Sequence, residues 1–360
     1  MGSRALTAAL GAALLTLAAQ PAEAQQEWSF EGDRLLVTNL AGKITVRGHD
    51  GSRIIVRATP GGSDGEKILF EVKRGGRAEF HAVYPLGEAT RFEYPEFRGR
   101  TRFQLRGWLE ESNMLRDIYA DISGREKIEV GSDVGGDAME AWADLEVLLP
   151  RGVSTRVRLA VGEIDASDVE ASLDLDTHSG SIDARNITGD TRMDTGSGSV
   201  SATTIRGSLN IDTGSGRVEV SDVQGDDVLI DTGSGSVTVN GASARRLEID
   251  TGSGSVRTER IDAGSTNIDT GSGSVTLDLM SLDDGRHVID TGSGSVTVRL
   301  PADASVRIIA ETGSGGITLD VPNAILKRMS RDEIDLQLGD GRARLEIDTG
   351  SGGVRIESRE

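Results

Sequence analysis

Asp231-Thr232-Gly233-Ser234-Gly235-Ser236-Val237 decides the fold, because it recurs. The same heptapeptide stands at Asp194–Val200, Asp250–Val256, Asp269–Val275 and Asp290–Val296. Near copies begin at Asp176 (His178 for the first glycine), Asp212 (Arg217 for the second serine), Glu311 and Asp348. Successive starts lie 18, 18, 19, 19, 19, 21, 21 and 37 residues apart. A period near 20 is a solenoid period, in which one repeat cannot bury its apolar face alone and stacking supplies the core.

Within the coil 231–249, Asp-Thr-Gly-Ser-Gly is turn chemistry. Ser236-Val237-Thr238-Val239 then alternates, Asn240-Gly241 makes a second turn, and Leu247-Glu248-Ile249-Asp250 alternates again. Alternation of period 2 is a strand signal. Val237, Val239, Leu247 and Ile249 point inward, and Val218, Val220, Val256, Val275, Leu277, Val296 and Val298 take equivalent places in other coils. The expected core is a stack of Val, Ile and Leu rungs about 4.8 Å apart.

Charge and composition exclude several classes. The 360 residues carry a net charge of −19, which argues against nucleic acid or an anionic membrane as partner of the whole surface. There is no cysteine, so disulfides, thiol chemistry and Cys-ligated metals are out. The four histidines, His49, His81, His178 and His287, are widely spaced and read as surface residues; no cofactor and no metal site is expected. All twelve aromatic residues lie between Trp28 and Trp142, which divides the chain.

Residues 1–24 have the form of a secretory signal peptide: Arg4, an apolar run from Ala5 to Ala19, and Ala22-Glu23-Ala24 before Gln25. Export to the periplasm, cell surface or exterior is expected, with no membrane span after cleavage. Residues 25–83 read as N-terminal coils, with Arg53-Ile54-Ile55-Val56 continuing the coil begun at 34, and strands within 67–83. Residues 84–142 break the pattern and read as an insertion or cap, with a strand over 98–106 and an amphipathic helix over 108–122. Residues 143–360 resume the repeats. Residues 324–330 read as a helical turn, and 334–338 with 342–347 as a hairpin-like pair around Gly339-Asp340-Gly341. The 37-residue gap reads as two coils, one without the motif.

The start Asn39-Leu40-Ala41-Gly42-Lys43-Ile44-Thr45-Val46, the segment Leu148-Leu149-Pro150 and the serial Thr-Gly-Ser-Gly-Ser-Val coils together resemble the bacterial DUF4097 β-strand-repeat proteins, which carry an adhesin label. The resemblance covers residues 34–83 and 143–360. It implies an exported β-solenoid without an established reaction and brings no catalytic residues.

Three constellations remain. Ile230-Asp231-Thr232-Gly233-Ser234 matches the aspartic-protease motif, but that chemistry needs two carboxylates sharing one proton at a single site, and here the acid recurs nine times at coil spacing. The acids would line one edge, each held by its own turn N–H groups, or, in a rival reading, by calcium between turns. Arg98, Arg100, Arg102 and Arg106 fall on one face of the 98–106 strand. With Trp108 as a stacking surface they are the candidate ligand-binding residues, for an anionic glycan or an envelope protein. The fold expected is therefore all-β, a parallel β-solenoid wound as a right-handed β-helix of 18–21-residue coils, with a small aromatic-rich insertion. The function expected is that of a non-enzymatic, adhesin-like scaffold. Its rivals are an envelope-stress or signalling accessory protein and a polysaccharide-acting β-helix enzyme.

Overall fold

A computed structural model describes residues 25–359, apart from 123 and 283. The expected signal peptide, residues 1–24, lies outside the described residues. The chain is nearly all-β, and most strand pairs are parallel.

Each coil contributes a strand to two ladders. In the first, Asp176, Asp194, Asp212, Asp231, Asp250, Asp269 and Asp290 are successive partners in register. In the second, Ile182, Val200, Val218, Val237, Val256, Val275 and Val296 are successive partners. The alternation in sequence becomes alternation of burial: Val237, Val239, Leu247 and Ile249 are all fully buried, and Glu248 and Asp250 are not. Between the two strand faces the backbone turns through the left-handed region at Asp168, Asn186, Thr204, Asp222, Gly241 and Arg260, one residue per coil.

The repeated turn works through its threonine and glycines. Thr270 Oγ1 donates to the carbonyl of Gly254 at 3.0 Å, Thr291 Oγ1 to Gly273 at 3.0 Å, and Thr195 Oγ1 to Gly180 at 2.9 Å. The Gly271 N–H donates to the Thr251 carbonyl one coil back at 3.1 Å. The second glycine of each turn lies so close to its neighbour that a Cβ on Gly254 would meet the Gly235 oxygen at 1.9 Å. The aspartates do not hold these turns: Asp231, Asp250, Asp269 and Asp290 are exposed, and the buried threonine takes the role expected of them.

Both ends of the stack depart from chain order. The strand Arg34–Gly48 lies between Ser154–Val169 on one side and a composite coil on the other. That composite coil consists of Arg77–Val83 and Trp142–Leu149, so the insertion leaves and re-enters within a single coil. Ile54–Gly61 does not continue the 34–48 coil; it pairs antiparallel outside Trp142–Leu149 and is itself paired by Gln26–Phe30. At the far end the last coil is intercalated. Ala343–Thr349 pairs with Arg286–Thr291 and Val306–Thr312, and Val354–Ser358 with Val296–Leu300 and Ile317–Asp320.

The expected helical turn at 324–330 is instead the strand Ile325–Met329, and the expected hairpin of 334–338 with 342–347 does not form. Glu333–Leu338 pairs antiparallel with Val306–Thr312 and Ile325–Met329, on the opposite side of Val306–Thr312 from Ala343–Thr349. The 37-residue gap is one coil plus this antiparallel cap. Two histidines are core residues: His81 and His287 are fully buried, each with Nδ1 within 2.9 Å of a threonine hydroxyl, Thr38 and Thr266.

Candidate anion-binding cleft

The insertion carries a four-stranded sheet of Arg91–Glu93, Arg100–Gln104, Lys127–Gly131 and Met139–Glu140, and two short helices, Leu105–Leu109 and Asn113–Ile118. The single helix expected over 108–122 is split because Ser112, in extended conformation, caps the second helix by accepting from the Met114 N–H at 3.0 Å.

Buried polar links seat this element on the stack. The Tyr119 hydroxyl donates to the Tyr84 carbonyl at 3.0 Å and accepts from the Tyr84 N–H at 2.9 Å. The Tyr84 hydroxyl reaches Asn39 Oδ1 at 3.0 Å in the intercalated coil. Burial raises both phenols well above their ordinary range. Ser112 also donates to Glu79, which Lys73 (2.6 Å) and His81 (3.2 Å) flank. Burial opposes ionisation of Glu79, but these three partners outweigh it and hold its carboxyl down at about 2.

The expected basic stripe is consumed within the insertion. Arg100 and Arg102 share a face, and both meet the buried Glu129, at 3.3 and 3.0 Å; Arg91 meets it at 3.5 Å. Glu129 is held below its usual value chiefly by Arg102. The strand ends at Gln104, so Arg106 lies on the first helix, not on the strand face, and pairs with Glu110 at 3.0 Å. Arg98 is exposed just before the strand and is in no ion pair among the described residues. Trp108 is 9% exposed and packs near Tyr119 with ring centroids 6.1 Å apart, so it offers no open stacking face.

The broken regularity gathers charge elsewhere, where the insertion meets the solenoid. Arg158 forms a two-pronged contact to Asp174 at 3.0 and 3.2 Å and meets Glu111 of the insertion at 3.0 Å. Arg156 meets Asp174 at 2.8 Å. Beside this network a cavity of about 200 Å³ is lined by Phe103, Trp108, Glu111, Asp176 and His178, and the buried Trp108 Nε1 has no partner. Burial drives the Asp176 carboxyl up to about 6 despite Arg158, and burial lowers His178. His178, the one departure from the first glycine of the motif, sits with its ring centroid 5.4 Å from Phe103. That substitution was the signal in the sequence that pointed here.

Next to it lies a cleft of about 270 Å³ whose floor is Leu35 and Leu36 and whose walls include Arg34, Arg77, Arg156 and Asp174. Arg34 and Arg77 are direct register partners on adjacent strands, both exposed, and neither forms an ion pair among the described residues. Guanidinium forks are suited to a carboxylate or phosphate, and here two stand side by side in a chain of net charge −19. Sequence spacing hid them, since 43 residues separate partners that only the intercalation of 34–48 brings together. Among the described residues no group of three or more His, Cys, Asp or Glu side chains could hold a metal ion, and the aspartate column forms none. No helix among the described residues is long and apolar enough to cross a membrane.

No curated protein matches the chain. One solved structure, described as a "putative cell adhesion protein" from Clostridium sporogenes, is 12% identical, covering 93% of this chain and 99% of that one at a TM-score of 0.21. Residues 195–357 match the family model Toastrack DUF4097.

Proposed function

We propose that the protein is an exported, non-enzymatic scaffold of adhesin type, which binds an anionic envelope ligand in the cleft of Arg34, Arg77 and Arg156. The observation that carries this reading is the unpaired Arg34–Arg77 couple facing a cleft with an apolar floor. Elsewhere the rungs repeat one surface, while this face differs, and Arg156 in its wall meets Glu111 of the insertion at 3.4 Å. A carboxylated sugar suits it: guanidinium forks bind carboxylate in two-pronged fashion. The winding proposed is right-handed, the hand that parallel strand crossovers take almost without exception. Export rests on the Arg4, Ala5–Ala19 and Ala22-Glu23-Ala24 arrangement.

The test is calorimetric titration with a galacturonic acid oligomer. The wild-type chain should bind, more tightly at low salt. Arg34→Ser with Arg77→Ser should weaken binding by about tenfold or more. Binding that is absent in wild type, or unchanged in the variant, contradicts the proposal.

A further inference from the structure

Six large apolar side chains are exposed among the described residues: Leu69, Ile118, Met280, Ile325, Leu326 and Met329. Four of them lie on two strands, Leu69–Lys73 and Ile325–Met329. These two strands are the opposite ends of the first ladder. Among the described residues Leu69–Lys73 pairs only with Arg77–Val83, and Ile325–Met329 only with Glu333–Leu338, so each leaves one edge open there. Edge strands are ordinarily guarded by charge and irregularity. Ile325–Met329 carries a bulge at Lys327 but also three exposed apolar side chains, with Leu326 and Met329 half open or more at 52% and 58%.

We infer that a second copy of this chain is the partner of that edge, and that copies join end to end through Ile325–Met329 of one and Leu69–Lys73 of the next. The existing pairing shows what the edge accepts. On the occupied side, Leu326 faces Leu336, Arg328 faces Asp335 and Met329 faces Ile334. The partner strand thus presents Ile334-Asp335-Leu336, apolar, acidic, apolar. At the other end of the ladder the open strand presents Phe70-Glu71-Val72, the same pattern. In the same register Leu326 meets Val72, Arg328 meets Glu71 and Met329 meets Phe70 of the next copy. Cross-strand pairs of these kinds stabilise a sheet.

Direction agrees, and the charges that this register sets face to face, Arg328 and Glu71, are opposite. Ile325–Met329 runs with the ladder, being antiparallel to a strand that is antiparallel to Val306–Thr312. Leu69–Lys73 runs against the ladder. Copies stacked without inversion therefore meet as an antiparallel pair. The segment 321–331 contains Lys327, Arg328 and Arg331 and no acid, with Arg328 paired to Glu333 at 2.6 Å; at the other end Glu66, Glu71 and Arg74 are in no ion pair among the described residues, and Lys67 and Lys73 are paired with Asp64 and Glu79. Two like ends would oppose three cations to three. A head-to-tail contact of this kind does not close, so assembly grows into linear chains.

The native chain has no cysteine, which makes cross-linking specific. The full chain carrying Val72→Cys and Leu326→Cys, oxidised at rising protein concentration, should give dimers, trimers and larger species. Val72→Cys and Leu326→Cys on separate chains should give heterodimers only when mixed. Sedimentation of uncrosslinked protein should show mass rising with concentration. Glu71→Arg or Arg328→Glu alone should weaken this by about tenfold, and the two together should restore it. The proposal is overturned if Leu326→Cys alone cross-links as well as the mixture, if the charge pair shows no rescue, or if the doubly substituted chain stays uncrosslinked near 1 mM, the weak limit of useful association.

Discussion

Thr270 and Gly254 are joined across one coil: the threonine hydroxyl donates to the glycine carbonyl at 3.0 Å inside the stack. The threonine at the equivalent place one coil before Thr251, Thr232, is as buried, yet its hydroxyl has no partner. The two positions therefore respond oppositely to loss of the hydroxyl. Thr270→Val leaves the Gly254 carbonyl without this donor and should cost about 1–2 kcal/mol. Thr232→Val removes a buried, unsatisfied group and should be neutral or stabilising. Urea unfolding of both variants decides this, and equal losses would contradict it.

The glycine column gives a second contrast. A Cβ at Gly254 would lie 1.9 Å from the Gly235 carbonyl oxygen, whereas one at Gly316 meets nothing within 4 Å. Gly254→Ala should cost about 3 kcal/mol or more, since the backbone of two coils must part. Gly316→Ala should change stability little. Both changes are read in the same unfolding experiment.

Acidification should weaken the fold through His287. Burial lowers its value to about 4, against 6.5 for the free side chain. Between these values the unfolded chain takes up a proton that the folded chain refuses, so stability falls as pH falls from about 6.5 towards 4. Asp269 acts in the opposite sense: burial and its neighbours Asp250 and Asp290 raise its value, so protonation of this group on acidification relieves the folded state. Accordingly His287→Leu should be less damaging relative to wild type at pH 4.5 than at pH 7.5. Asp269→Asn should stabilise at pH 7.5, more so at low salt. Denaturation at the two pH values separates these contributions.

The rungs were legible in the sequence because two inward columns repeat their residue type: Val237, Val256 and Val275 occupy one, and Ile230, Ile249 and Ile268 the other. The ends were not. Chain order normally matches spatial order, and nothing local in Ala343–Thr349 says that it enters between Arg286–Thr291 and Val306–Thr312. The arginine couple was hidden for the same reason: Arg34 meets Arg77 only through intercalation of Arg34–Gly48. The stripe at Arg100 and Arg102 was visible, but its buried counter-ion Glu129 comes from 27 residues or more along the chain. Strand alternation cannot reveal such a partner.

Intercalation makes the last coil structural for its predecessor. Deleting residues 343–359 should expose the rungs of 286–300 and of 306–320, which both pair with it. Limited proteolysis should then cut throughout 286–340. A stack in chain order would lose only its final rung, and cuts confined to the new terminus would contradict the intercalated arrangement.

The coils are interchangeable rungs in register. Asp231 and Asp250 are ladder partners, so removing residues 231–249 takes out one whole rung and joins Ile230 to Asp250 with every inward position kept. Removing residues 231–240 instead joins Ile230 to Gly241 and deletes a turn with one strand, including the fully buried Val237 and Val239. Loss of even one buried aliphatic commonly costs roughly 2–5 kcal/mol. Urea unfolding of both deletions beside wild type is the most direct measurement. The 19-residue deletion should retain more stability than the 10-residue one; a 19-residue deletion as unstable as the shorter one, or more so, would contradict interchangeable rungs.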